Sequence, residues 1–494
     1  MKPKSTERKE ELDKLFMPKN VAIYEATEKL SYFIFGFKSQ GFDLNNLYLI
    51  SPTKNEIFGI KTYESIEDVS EDTIDLLILA VRREKLLESL KRLLEKKKIN
   101  FIHIFTAGTG EFDEIGIKIE QELKIFLDKQ ADTLAIGPNC MGVYCPKGHI
   151  AYLPMFPTEA GNISLIFHSG DLHSRTIMDG QSRYNLTFSK GVSLGNCVSL
   201  QVSDFLKYYE KDPESEIITV YFEGFSKYQK KEGRLLFNIL KEIKKPVLIL
   251  RGGKTKRGQT AVLSHTGSLG TSERIWNAIC KQTPLIEVGS SLNELIDYLF
   301  IFNYFYKKFG KFPFEERLQY FPKGKNALVI LWSGGLGIID TDRLTQLGIN
   351  LPLFKEETVQ RLRDVYPIKI GSLSNPLDLP WLSRSEKYVE VCKAAITEEI
   401  DFVVMHTNAW SMGDKERFES YYHNLKLIKE HIEAQNKLLI LILTETPLKI
   451  RNEYFELLIK DGFLVYSDLR RAALAFLALH NYGKQINKIH RKST

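Results

Sequence analysis

The chain reads as an α/β protein built from three doubly wound, largely parallel sheets in series, and three observations predict this. At 494 residues it exceeds what one core organises, so about three domains of roughly 150 residues are expected. Short apolar, β-branched runs alternate with longer helical patterns from end to end, which is the pattern of parallel strands joined by crossover helices. Twice an apolar strand runs straight into a Ser-Gly turn and a new helical pattern. One case is residues 163–167 followed by His168, Ser169 and Gly170; the other is residues 328–331 followed by Trp332, Ser333, Gly334 and Gly335.

Candidate strands at 20–23, 47–50, 76–81, 101–105 and 133–136 have the spacing of one βαβ domain, residues 1–146. A second series at 162–167, 217–222 and 247–250 fades near 286–288 and defines a domain over 147–306. Residues 307–325, rich in Lys, Phe, Gly and Pro, break the pattern and read as a linker. The third series, at 327–331, 402–406, 438–443 and 463–466, fills 326–494.

Composition excludes several classes of function. Lys and Arg number 68 against 62 Asp and Glu, a formal charge of +6, and the basic runs 96–98 and 488–492 are short. They read as solvated faces, so no nucleic-acid partner is expected. The five cysteines, Cys140, Cys145, Cys197, Cys280 and Cys392, show neither metal-ligand nor redox spacing, which suits a reduced, cytoplasmic setting. Residues 2–14 are charged where a signal core would be apolar, and the aromatic run 298–306 is too short to cross a bilayer, so no membrane span is expected.

The chemistry is carried by Leu263, Ser264, His265, Thr266, Gly267, Ser268, Leu269 and Gly270. Imidazole is a competent nucleophile near neutral pH, and hydroxyls with unobstructed amides suit an anion's oxygens. That describes a phosphoryl carrier; a flexible Gly/Ser loop with a solvated histidine is the bland alternative. Glycine in the two Ser-Gly turns leaves the first helical amides free to hold a phosphate, though tight βα turns also use glycine for geometry alone.

Further words stand along the chain: Ile136-Gly137-Pro138-Asn139-Cys140-Met141-Gly142, Val192-Ser193-Leu194-Gly195-Asn196, Asp212-Pro213, Glu223-Gly224, Arg251-Gly252-Gly253-Lys254, Asp340 to Asp342, and Ser374-Asn375-Pro376-Leu377-Asp378. In this order they resemble the α subunits of nucleoside-diphosphate-forming acyl-CoA synthetases, of the acetyl-CoA synthetase (ADP-forming) type and related to succinyl-CoA synthetase. The likeness spans about residues 18–480.

The resemblance implies a Rossmann-like CoA-binding domain followed by two flavodoxin-like domains. It implies that His265 is the phosphorylated histidine and that Glu223 orients and charges its ring. Ser169, Gly170, Gly267, Ser268, Gly334 and Gly335 would then bind phosphate. Coenzyme A, a substrate, would meet Ala26, Thr27, Ser51, Pro52, Ala80, Val81, Thr106, Ala107, Gly108, Asn139 and Cys140. No room is left for the family's ATP-grasp fold, so a separate ATP-grasp β subunit is expected to carry ATP or ADP with Mg2+. No metal site is expected in this chain, since His168 and His173, five apart, do not share a helical face.

The sequence departs from the family in two places. Tyr24 and Glu25 follow the first strand where a small Gly-Ala-Ser turn is usual, and Asp171 follows Ser169-Gly170 where a small neutral residue is usual, with His168 in place of glutamine. Glycine lost beside a diphosphate and acids added near phosphates weaken binding. A non-catalytic CoA or acyl-CoA sensor of the same fold therefore stands as the rival reading. A dinucleotide-dependent dehydrogenase is excluded by the lack of G-x-G-x-x-G after the first strand.

Overall fold

The computed structural model describes residues 12–229, 231–266, 273–310, 315–367, 370–380, 382–383, 385–407, 415–443 and 448–493. The chain forms two compact units, Met1–Ile296 and Asp297–Thr494.

The first unit holds two sheets. The strands of the first are β1 (Val21–Tyr24), β2 (Leu47–Ile50), β3 (Glu56–Ile57), β4 (Ile60–Tyr63), β5 (Thr73–Leu79), β6 (Lys98–Ile104) and β7 (Leu134–Ile136), in the order β3-β4-β2-β1-β5-β6-β7. The β3/β4 pair is antiparallel and the rest parallel, with Val21 opposite both Leu47 and Leu76. Every residue of β1 and β2 is buried, the continuous apolar pattern of strands covered on both faces. Helices α1 (Ser31–Ser39), α2 (Leu86–Lys96) and α3 (Glu114–Leu127) supply the cover. On α2 the buried Leu86, Leu90 and Leu93 recur at helical spacing, which makes one apolar face.

The second sheet contains β8 (Gly142–Tyr144), β9 (Ala160–Phe167), β10 (Phe188–Ser193), β11 (Ile217–Phe222), β12 (Val247–Arg251) and β13 (Ile286–Glu287), ordered β13-β12-β11-β9-β10-β8. Only its edge strand β8 runs antiparallel, against β10. Residues 142–144, placed with the first series by sequence, thus belong to the second sheet. Flanking helices are α4 (Gly170–Tyr184), α5 (Val202–Lys211), α6 (Glu232–Glu242), α7 (Lys256–Thr266) and α8 (Glu273–Gln282).

β10 was not foreseen. It is wholly buried yet reads Phe-Ser-Lys-Gly-Val-Ser. Its polar groups are satisfied by distant partners: Lys190 Nζ lies 2.9 Å from Asp212 and 3.5 Å from Glu214, and Ser189 shares a hydrogen bond with Ser164 at 2.6 Å. A buried charge persists only when paired in this way.

The helix α9 (Leu292–Phe309) carries the aromatic run. In the second unit Phe300 packs on Tyr466, Phe302 on Tyr482 and Phe305 on Phe321. The expected linker is therefore partly ordered by this packing. The helix runs on to Phe309, a 3-10 turn covers Glu315–Tyr320, and Phe321 is buried. The third sheet consists of β14 (Ala327–Leu331), β15 (Ser372–Leu373), β16 (Leu377–Asp378), β17 (Phe402–His406), β18 (Leu438–Ile442) and β19 (Leu464–Tyr466), ordered β15-β16-β14-β17-β18-β19. Its helices are α10 (Gly334–Gln346), α11 (Glu356–Val365), α12 (Glu386–Ala395), α13 (Lys415–Ala434), α14 (Leu448–Lys460) and α15 (Leu469–Ser493).

Candidate active site

The carboxyl ends of the first sheet's strands and the start of α4 enclose a cleft of about 800 Å3, where doubly wound folds place their ligands. Thr27 enters it from the turn after β1, Ala80 and Val81 from the end of β5, Thr106 and Ala107 from beyond β6, and Asn139 and Cys140 from beyond β7. The loops are tied to one another. Thr106 Oγ1 donates to the Val81 carbonyl at 2.8 Å, and the Asn139 N–H donates to the Thr106 carbonyl at 2.9 Å. Asn139 sits at φ 59, a left-handed conformation that asparagine tolerates.

Four residues expected at the CoA site do not line this cleft. Ala26 is buried and gives its N–H to Ile50, and Ser51 gives its own to Tyr63. Pro52 lies beyond the lining. Gly108, at φ 81, lies under Arg83, whose Nη1 donates to the Gly108 carbonyl at 2.8 Å. Arg83 itself lines the cleft and is held by both carboxylate oxygens of Asp113, at 3.0 and 2.9 Å. Sequence reading missed this cation, which carried no motif.

The departure after β1 differs in detail from its sequence reading. Tyr24 is the last residue of β1, buried, with its hydroxyl accepting from Arg92. The position where glycine would be easy is Glu25, at φ 54, and the Glu25 side of the turn lines the cleft. Tyr24 therefore points away from the ligand space.

At the other wall, Ser169 caps α4, its Oγ accepting from the Leu172 N–H at 3.3 Å. Gly170 is needed for closeness, because a Cβ there would stand 2.3 Å from Met141 Cγ. Asp171 is 76% exposed and lies 3.5 Å from Arg175 one turn on. That cation offsets the repulsion expected for an anion at the helix start.

His168 is 6% exposed and lines the cleft. Its Nδ1 accepts from the Glu223 N–H at 3.2 Å, so in the neutral ring the proton sits on Nε2. Burial lowers the His168 pKa, and the Glu223 carboxylate partly opposes that shift. Glu223 itself is 6% exposed, directly beyond β11. Burial and the hydrogen bond to Glu223 raise the Tyr221 phenol. The strand end thus presents a buried carboxylate steadied by Tyr221.

His265 falls at the end of α7, but its side chain and both Gly267 and Ser268 lie outside the described residues. Ser333, Gly334 and Gly335 belong to the second unit, where α10 begins at Gly334. There Asn375 works as a tie: its Oδ1 accepts from Val329 N–H at 3.1 Å and its Nδ2 donates to the Ala327 carbonyl at 2.8 Å. His173 shares a 2.5 Å hydrogen bond with Tyr152, which uses Nδ1. Among the described residues no group of three or more His, Cys, Asp or Glu is placed to hold a metal ion, and no helix is long and apolar enough to cross a membrane.

A buried polar hub centred on Glu120 was also missed by sequence reading. Glu120 accepts from Gly110 N–H at 3.0 Å, Asn196 Nδ2 at 2.7 Å and the Tyr228 hydroxyl at 2.9 Å. It joins the loop after β6 to two segments of the second sheet.

A CoA binding domain model matches residues 25–146, and a succinyl-CoA ligase like flavodoxin domain model matches residues 160–302. The α subunit of acetate–CoA ligase [ADP-forming] II from Pyrococcus furiosus is 26% identical over 481 residues, 96% of this chain and 98% of that one. The acetate–CoA ligase [ADP-forming] of Methanocaldococcus jannaschii is 32% identical over 380 residues, 75% of this chain but 49% of that longer one. The chain thus spans nearly all of the Pyrococcus subunit and about half of the longer ligase. In fold, the dinucleotide-forming acetyl-coenzyme A synthetase 1 of Ca. Korarchaeum cryptofilum, solved with phosphate and ADP, superposes with a TM-score of 0.77 at 24% identity, covering 98% of this chain and 99% of that one. The chain belongs to the NDP-forming acyl-CoA synthetases as a homologue of their α subunits, with a CoA-binding domain followed by a succinyl-CoA-ligase-like flavodoxin domain.

Proposed function

We propose that this chain is the α subunit of an acyl-CoA synthetase that interconverts acyl-CoA, phosphate and ADP with carboxylic acid, CoA and ATP. The observation that carries the reading is the cleft itself, in which loops of a CoA-binding domain face the capped start of α4 and the His168–Glu223 pair. CoA lies along Thr27, Ala80, Thr106 and Asn139, with its thioester toward Ser169. Phosphate attacks the thioester carbonyl; the carbon–sulfur bond breaks, and CoA leaves as an acyl phosphate forms. The amides of α4 and the His168 Nε2–H stabilise the oxygens of that phosphate.

His265 then attacks phosphorus, and the carboxylate departs. Glu223 holds the opposite ring nitrogen's proton, fixing the tautomer and stabilising the cation that forms. The phosphohistidine delivers its group to ADP on a separate ATP-grasp β subunit, which would hold Mg2+ with the nucleotide. The reaction is placed in the cytoplasm, and no nucleic acid takes part.

Intact mass of the chain after incubation with a panel of acyl-CoAs and phosphate tests the reading. One phosphoryl group is expected on the wild type and none on His265→Ala, with the responding acyl-CoA naming the substrate. No adduct with any acyl-CoA, when CoA binds and the partner subunit is supplied, leaves the sensor reading in its place. ATP made by the purified chain alone refutes the need for a β subunit.

A further inference from the structure

The amino-terminal edge of the third sheet, opposite the Ser333–Gly335 turn, holds a cleft of about 1050 Å3 within the second unit. Asn326 precedes β14 and Ser333 follows it, so this cleft stands about 23 Å from that helix start at the usual rise per residue. One wall is the segment 321–326, of which 321–325 close the expected linker 307–325; the other is a face of α15.

The two walls are fixed to each other. Phe321 is buried against Gly483, where a Cβ would meet its ring at 2.6 Å, and it stacks on Phe305 at 4.4 Å. His480 Nδ1 bonds the Pro322 carbonyl at 2.8 Å. The cleft is therefore a shaped feature and not a gap between mobile segments.

Its charge is one-sided. Lys323 and Lys325 line the first wall, and Lys484 and Lys488, one helical turn apart, line the second. Among the described residues none of the four makes an ion pair. The lining also holds one acid, Asp401, its Oδ2 accepting from the Asn326 N–H at 2.8 Å, so that the four lysines still leave the cleft positive. Unpaired cations gathered across a concave surface concentrate anions there. Opposed pairs of lysines suit two or more linked phosphates better than one, and the volume with the Leu318 and Pro322 surfaces accommodates an organic body as well.

We propose that this cleft is a second, non-catalytic site for a nucleoside di- or triphosphate, independent of phosphoryl transfer at His265. The test uses the full chain purified without a partner subunit. Photolabelling with 8-azido-ADP is expected to modify peptides within 318–326 or 480–488. Fluorescent-ADP affinity is expected to fall roughly tenfold or more in the double variant Lys484→Glu, Lys488→Glu, with CoA binding and melting temperature unchanged. Labelling confined to other segments, or an unchanged affinity in the folded double variant, overturns the proposal. If the double variant fails to fold, the labelled peptides of the wild type decide alone.

Discussion

The same Ser-Gly word opens α4 in the first unit and α10 in the second, but the two helix starts are built differently. At α4 the Ser169 hydroxyl caps a backbone amide and Gly170 lets Met141 pack closely, and the start faces a cleft. At α10 Ser333 makes no side-chain cap, and the Asp378 carboxylate stands 3.2 Å from where a Gly334 Cβ would be. One helix start is open to an anion from outside; at the other the chain brings its own carboxylate, whose pKa burial raises. A turn motif thus sets where a dipole points, and its neighbours set what it meets.

The largest effect expected to separate the two units is acid stability. Burial pushes the His103 pKa down to about 4 and that of His173 to about 3, and lowers that of His168 as well. In the second unit the described histidine with a lowered pKa is the half-exposed His431. Below the unfolded histidine pKa of about 6.5, the unfolded chain takes up protons that these folded rings refuse. Stability is therefore full above that value and lost as pH falls toward 4, by about 3 kcal/mol for His103 alone. Limited proteolysis in urea at pH 7 and pH 4.5 should show the first unit opening before the second on acidification; simultaneous opening contradicts this.

Next in size is the pair of glycine substitutions. Gly170→Ala is expected to cost about 1–2 kcal/mol through the clash at Met141. Gly335→Ala meets nothing within 4 Å and should be neutral or stabilising by up to about 0.5 kcal/mol. Urea midpoints for both variants check the contrast. The smallest contrast is between the serines: Ser169→Ala should cost about 1 kcal/mol and Ser333→Ala less than about 0.5 kcal/mol. Equal losses in a thermal melt mean that the two turns are alike after all.

Much of the architecture was legible because its parallel strands are continuous apolar runs. The strands at 47–50, 217–222 and 327–331 have the bounds the sequence predicts. What escaped depends on residues far apart in the chain. β10 hides behind Ser189 and Lys190, whose partners Ser164 and Asp212 lie in other elements. The lysine- and phenylalanine-rich segment 307–325 looked like a linker because Phe321 gains its burial from Phe305 and Gly483. At the candidate site, the Ser169-Gly170 turn was read from a strand end and glycine chemistry, and Glu223 from the family resemblance. Arg83 and Glu120 were not found, since their partners Asp113 and Asn196 lie far off in the chain and leave no local pattern around them.

The three residues of β8 settle how the polypeptide can be divided. A gene split after residue 146 produces one fragment whose last strand has lost its sheet, and another whose β10 is left as a bare edge. An exposed edge of that kind invites pairing with other chains. Reassembly of the fragments would have to restore the Gly142–Ser193 register before either half could stay in solution. The first two domains are best treated as one piece of polypeptide in any dissection, permutation or fusion.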